Sequence, residues 1–142
     1  MKRFVAKSEQ DTIEVARYLT QILKPNDVVL LEGDLGSGKT FLVKAFCRLI
    51  NTVDSASSPS FPIIHHYQGP QPVNHFDFYR LHNESELDQL GWEEMLSQGA
   101  ITFIEWPQLI ENHLQRFYKI CIRFEGEHRV FELTEVNRLD RD

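Results

Sequence analysis

The stretch Gly33-Asp34-Leu35-Gly36-Ser37-Gly38-Lys39-Thr40 satisfies the pattern G-x-x-x-x-G-K-[ST], and the chemistry that such a pattern performs is the holding of a phosphate chain. Glycine at 33, 36 and 38 opens backbone dihedrals closed to other residues, so successive N–H groups can turn inward on a row of phosphate oxygens. Lys39 adds a mobile positive charge. Thr40, followed by Phe41 in the same helix, offers a hydroxyl for a magnesium ion where the helix N-terminus contributes its own partial positive charge. A glycine-rich turn with no ligand would explain neither Lys39 nor Thr40. Two carboxylates extend the set. Asp77 lies in the aromatic run Val73-Asn74-His75-Phe76-Asp77-Phe78-Tyr79-Arg80, where an acid is costly without a cation or hydrogen-bond donors. It is read as a metal or water-orienting carboxylate, with a structural partner for Arg80 or Lys39 as the alternative. Glu105 closes the apolar run Ala100-Ile101-Thr102-Phe103-Ile104, as does the acidic strand that flanks the magnesium shell in phosphate-loop proteins. It is the first choice for that role and Asp77 the second.

These groups need elements to bring them together. Val28-Val29-Leu30-Leu31 reads as a parallel strand covered on both faces and leading into the loop, and Leu42, Ala45, Phe46 and Leu49 recur at helical spacing after it, with Lys44 and Arg48 on the opposite side. Upstream, residues 4–6 read as a short strand and Ser8 as the N-cap of a helix carrying Ile13, Val15, Ala16, Leu19, Ile22 and Leu23, stopped at Pro25-Asn26. Residues 51–58 are polar and turn-prone. Strands at 62–68 and 73–78 pair as a hairpin across Gly69-Pro70-Gln71-Pro72, with His75, Asp77 and Tyr79 on one face and Phe76 and Phe78 on the other. Two short acidic helices, broken near Gly91, fill 84–96. Alternation from Phe117, a turn at Glu125-Gly126-Glu127 and a strand near 129–134 give a second antiparallel hairpin, and 137–142 a charged tail expected to fray. His65, His66 and His75 are spaced poorly for a metal cluster, and strand packing is the preferred reading. The expected fold is α/β: a single phosphate-loop NTPase-like domain, 1–142, with a central, mostly parallel sheet flanked by helices and extended by antiparallel strands.

With 142 residues, 42% of them hydrophobic, the chain buries one good core and is short for two ordinary domains. Cys47 and Cys121 lie far apart without metal spacing, and both are expected to be buried free thiols. No run reaches the length of a membrane span and no apolar leader core is evident, so a cytoplasmic location is expected. The net charge of −6 disfavours a direct grip on a nucleic-acid backbone, which depends on Lys and Arg, so any role in an RNA pathway is expected to run through a protein partner.

Taken together, G-D-L-G-S-G-K-T at 33–40, S-P-S-F at 58–61, H-F-D-F-Y-R-L at 75–81 and I-E-W-P at 104–107 resemble the TsaE family (formerly YjeE), the small bacterial ATPase of tRNA threonylcarbamoyladenosine synthesis. The likeness runs from about Ser8 to Leu133. It implies ATP and magnesium as cofactors and TsaB and TsaD as partners, in modifying the adenosine next to the anticodon of tRNAs that read codons beginning with A. It also implies Thr40 and Glu105 at the magnesium, residues 33–40 around the phosphates, Ser60 in a nucleotide-responsive loop, Asp77 in hydrolysis, and Glu9 and Arg129 near the nucleotide. Two departures stand out. Ser60 replaces the family's usual Thr, keeping the hydroxyl but losing the methyl that restricts its rotamer. Gln108 stands where a second acid is usual, able to hydrogen-bond ribose or base but not to supply charge. No N-K-x-D guanine-reading element occurs. A small-molecule kinase would need an arginine-bearing lid, and 81–99 contains no arginine. A non-catalytic, nucleotide-dependent binding module is the other alternative.

Overall fold

The structure, a computed structural model, describes residues 1–55 and 64–139. In chain order it contains β1 (Lys2–Ala6), α1 (Glu9–Ile22), β2 (Val28–Glu32), α2 (Lys39–Leu49), β3 (Val53–Ser55), β4 (Ile64–Gln68), β5 (Val73–Asp77), α3 (Glu84–Asp88), α4 (Trp92–Met95), β6 (Ile101–Glu105), β7 (Arg116–Glu125) and β8 (His128–Asn137). Two 3-10 turns, Pro107–Leu109 and Glu111–His113, connect β6 to β7. All the strands join one sheet in the order β1-β8-β7-β2-β6-β5-β4-β3. The four inner strands β7, β2, β6 and β5 are parallel to one another, and both flanks are antiparallel. The expected α/β architecture is the one observed.

Period-two alternation divides the inner strands between two cores. Val29 and Leu31 of β2 and Phe103 of β6 face α1 and α2, where Val15, Ala16, Leu19, Leu42 and Phe46 cover them. Val28, Leu30 and Ile104 face the other way, onto Phe76, Phe78, Leu87, Trp92 and Ile110. Because both faces are covered, β2 is apolar up to its terminal Glu32 and β6 is apolar but for Thr102 and its terminal Glu105, whereas β5 also buries Asn74 and His75. Truncating a fully buried core ring such as Phe103 to alanine costs about 3–5 kcal/mol. The N-cap of α1 is reciprocal: Ser8 Oγ accepts from the Asp11 N–H at 3.3 Å, and Asp11 Oδ2 accepts from the Lys7 N–H at 2.9 Å. The edge shared by the C-terminal ends of β2, β5 and β6 is where an open parallel sheet leaves a crevice.

Several expectations are corrected. The polar stretch after α2 is not all turn: Val53–Ser55 forms an edge strand, because β4 presents unpaired backbone groups that β3 satisfies in antiparallel register. The strand through Asp77 ends there, so Tyr79 leaves the alternation and stands exposed, its ring tilted against that of Trp106 with centroids 4.8 Å apart. Cys47 is buried, but Cys121 is only half-buried. The charged tail is anchored further than expected: Asn137 closes β8, and Arg138 donates through Nη1 to the carbonyls of Glu111 and Leu114 at 3.1 and 2.8 Å.

Candidate phosphate-binding site

β2 delivers the chain into the loop, and α2 begins immediately after it, so the loop has to reverse within a few residues. Gly33 sits where a Cβ would lie 2.7 Å from the Ile122 carbonyl oxygen, so no larger residue fits. Gly38 takes φ of 109° as the N-cap of α2 and offers no side-chain cap, leaving the first N–H groups of the helix for another acceptor. Lys39 folds back over this loop. Its Nζ donates to the Gly33 carbonyl at 2.6 Å and lies 3.6 Å from the centroid of the Trp106 ring. Only 4% of Lys39 is exposed. Burial pulls its pKa below the ordinary lysine value, against the opposing pull of Glu105, Asp77 and Asp34.

The acids arrive on neighbouring strands. β5 and β6 are parallel with Asp77 opposite Glu105, so both carboxylates leave the same face at the same edge, on the side where α2 begins. Glu105 Oε2 accepts from Thr40 Oγ1 at 2.9 Å and lies 2.5 Å from His75 Nε2. Burial alone would raise the pKa of Glu105, but the hydrogen bond and charge of His75, the Thr40 hydroxyl and the Lys39 ammonium together hold it below the usual value. Asp77 is half-buried, and its Oδ1 accepts from the Tyr79 N–H at 3.1 Å. A cavity of about 370 Å³ opens among these groups, lined by Gly36, Gly38, Lys39, Thr40, Asp77, Glu105 and Arg129 and walled by Leu35, Phe41, Tyr79 and Trp106. Its chemistry is two-sided: cationic and N–H donors along the loop, and two acids with a hydroxyl opposite them.

The family model described as "Threonylcarbamoyl adenosine biosynthesis protein TsaE" matches residues 6–132. The chain belongs to the TsaE family. It is 44% identical over 112 residues to the TsaE protein of Rickettsia conorii, an alignment covering 75% of this chain and 62% of that protein. It is 38% identical over 120 residues to the TsaE protein of Bacillus subtilis, covering 83% of this chain and 75% of that one. The crystal structure of Bacillus subtilis YdiB superposes with a TM-score of 0.78 at 30% identity, covering 97% of this chain and 87% of the other. The chain thus spans less than two thirds of the length of some TsaE relatives, 62% for R. conorii and 65% for Rickettsia felis.

The positions suggested by the TsaE resemblance do not all converge. Arg129 does: its side chain runs alongside Gly38, lines the cavity, and has a buried Nε without a hydrogen-bond partner. Glu9, first residue of α1, and Gln108, in the 3-10 turn after β6, are exposed and lie outside the cavity lining. Arg80 is also exposed and outside the lining. Ser60 and the S-P-S-F loop fall outside the described residues. Among the described residues, His65, His66 and His75 form no metal-binding group. Two participants were not foreseen in their roles. Trp106, with φ of 58°, turns its ring under Lys39, and His75 reaches the buried acid. The I-E-W-P motif flagged Trp106 as a residue but carried no hint of its contact.

Proposed function

We propose that this chain is a magnesium-dependent ATPase that acts with TsaB and TsaD in placing the threonylcarbamoyl group on the adenosine next to the anticodon of tRNAs reading ANN codons. The observation that carries the reading is the convergence of Lys39, Thr40, Asp77 and Glu105 on one cavity at the head of α2. The pathway rests on family membership and on the names of the relatives.

The residues present fit a magnesium nucleotide. Ser37 Oγ in the loop and Arg129 Nε above it are buried polar atoms with no hydrogen-bond partner, and the α2 N-terminus is uncapped by any side chain. Such donors suit anionic oxygens. The ion, held by Thr40 and Glu105 with Asp77 beside them, would supply charge neutralisation at the phosphates. Among the described residues Lys39 is bound to a neutral carbonyl and an aromatic face and makes no direct ion pair, so it can exchange those partners for phosphate oxygen. Asp77 is fixed through Oδ1 by the Tyr79 N–H, which leaves Oδ2 to orient a water and take its proton. Leu35, Phe41 and Trp106 add apolar surface to the cavity wall.

No arginine other than Arg129 lines the cavity among the described residues, so phosphoryl-transfer charge is incompletely matched by the chain alone. Hydrolysis is therefore slow in isolation and rises when TsaB and TsaD are added. The test is turnover of ATP with and without those proteins, beside Lys39→Ala. Equal turnover with and without partners overturns the coupling, and equal single-turnover hydrolysis by wild type, Lys39→Ala and Asp77→Ala leaves only a binding module.

A further inference from the structure

His75 has no place in the chemistry described so far. It does not line the cavity, and it is 4% exposed, in the middle of β5. Phe103 of β6 and His65 of β4 flank it in register, and its ring lies 6.0 Å from that of His65. Among the described residues its polar contact with the site is Nε2 to Glu105 Oε2 at 2.5 Å. Thr40 Oγ1 donates to the same oxygen, so among the described residues both hydrogen bonds to this carboxylate fall on Oε2. A glutamate has several rotatable bonds and two equivalent oxygens. Left alone, it samples several rotamers, and fixing it for an ion costs conformational entropy. A donor rising from the strand behind it removes that freedom before any ligand arrives.

We propose that His75 is a positioning residue for divalent-ion binding: by engaging Oε2 from inside the sheet, it fixes Glu105 in one rotamer and leaves Oε1 for the ion that accompanies the nucleotide. Thr40 alone would not suffice, because its hydroxyl is itself needed at the ion and gives up its hold on Glu105 when it is used there. His75 is the contact that persists. The inference rests on the magnesium-nucleotide reading given under Proposed function. It differs from a purely structural role, in which His75 only satisfies a buried acid and its loss lowers stability without selectively touching the metal.

The test is calorimetry of the full chain with a non-hydrolysable ATP analogue, in EDTA and in magnesium, for wild type, H75Q, H75N and H75L, with thermal melts of each. Glutamine carries a donor close to the position of Nε2, whereas asparagine is one bond too short to reach it. The gain in affinity produced by magnesium falls about tenfold or more in H75N and H75L, the range seen when a residue behind a metal ligand is lost. Affinity in EDTA stays near that of wild type, and H75Q restores the gain. H75N keeps the test decisive should H75L not fold. Adding H75N to E105Q produces no further loss, because the two act through one group. An undiminished magnesium gain in H75N, an equal loss in EDTA, or additive effects in the double variant overturns the proposal. Failure of wild type itself to bind the analogue in either buffer instead removes the nucleotide reading of the site, whatever stands at position 75.

Discussion

Asp77 and Glu105 are neighbours in register, yet their surroundings differ. Glu105 is buried, and its partners hold its pKa below the usual value; on the proposed function it is the ligand of the ion. Asp77 is half-buried at the mouth and held through Oδ1 by the Tyr79 N–H, and on the same reading it orients the attacking water. Asp77→Asn is therefore expected to bind the magnesium nucleotide within about twofold of wild type while hydrolysis drops by about 10²–10³, the scale of a missing positioned group. Glu105→Gln is expected to lose the magnesium-dependent part of the affinity first. Calorimetry paired with single-turnover hydrolysis separates the two, and an equal affinity loss in both variants contradicts the division. At this scale the sequence was informative where contacts are local. The loop pattern names Lys39 and Thr40, and strand alternation with a terminal acid names Glu105. It was silent on His75 meeting Glu105 and Trp106 meeting Lys39, because one contact crosses between strands and the other depends on a left-handed backbone that a tryptophan adopts only under tertiary constraint.

Among the elements, β7 illustrates what alternation reveals and what it hides. Period two identified it as a strand of a hairpin, and its turn residues placed Gly126 at φ of 62° as expected of a tight reversal. Nothing local indicated that it would lie beside β2, one strand from the centre, where half-burial reshapes its titration. Lys119 donates to Glu111 at 3.0 Å and pairs with Glu32 at 3.1 Å. Burial lowers its pKa, but the hydrogen bonds to those two carboxylates outweigh burial and raise it. Burial and nearby carboxylates raise the Cys121 thiol and the Tyr118 phenol as well. All three shifts have one sign. Each group keeps its proton to higher pH in the folded chain than in the unfolded one, so the unfolded state sheds protons first and gains on the folded state as pH rises. The stability these three groups contribute is accordingly expected to hold through neutral pH and to decline from about pH 9 upward, the unperturbed range of the cysteine thiol, while Lys39, whose pKa is lowered, acts in the opposite sense. Urea midpoints at pH 7.5, 9 and 10.5 in a Lys39→Met background measure it, and a midpoint that rises with pH there contradicts the assignment. Cys121 should also react with iodoacetamide at pH 8 more slowly than a free cysteine, since the thiolate is the reactive form.

For the molecule as a whole, the sheet's two covered faces explain why fold class was readable: a strand as apolar as β2 lies between two layers, and the helix-bearing connection from β5 to β6 leaves those adjacent strands parallel. Edge order was not readable, because β1 at one end and β3 at the other are chosen by which backbone groups remain unpaired after the centre has formed. The same whole-molecule view bears on tRNA. The chain carries a net charge of −6, and of its basic groups Lys39 is buried at the loop, Lys119 lies between two carboxylates, and Arg3, Arg17, Arg116 and Arg123 are paired with acids. The acidic segment of α3 and α4 adds repulsion towards a phosphate backbone. With an excess of acids over bases and several of the bases already engaged, fewer counterions would be released on contact with RNA, and that release supplies most of the affinity of non-specific binding. Labelled tRNA is therefore expected to show no saturable binding to the chain alone at about 150 mM salt. Any association seen at low salt should vanish steeply as salt is raised, and on the proposed function the tRNA is retained through TsaB and TsaD. Fluorescence anisotropy across a salt series measures this, and micromolar binding by the isolated chain at physiological salt would mean that it reads its RNA directly, through groups other than those paired here.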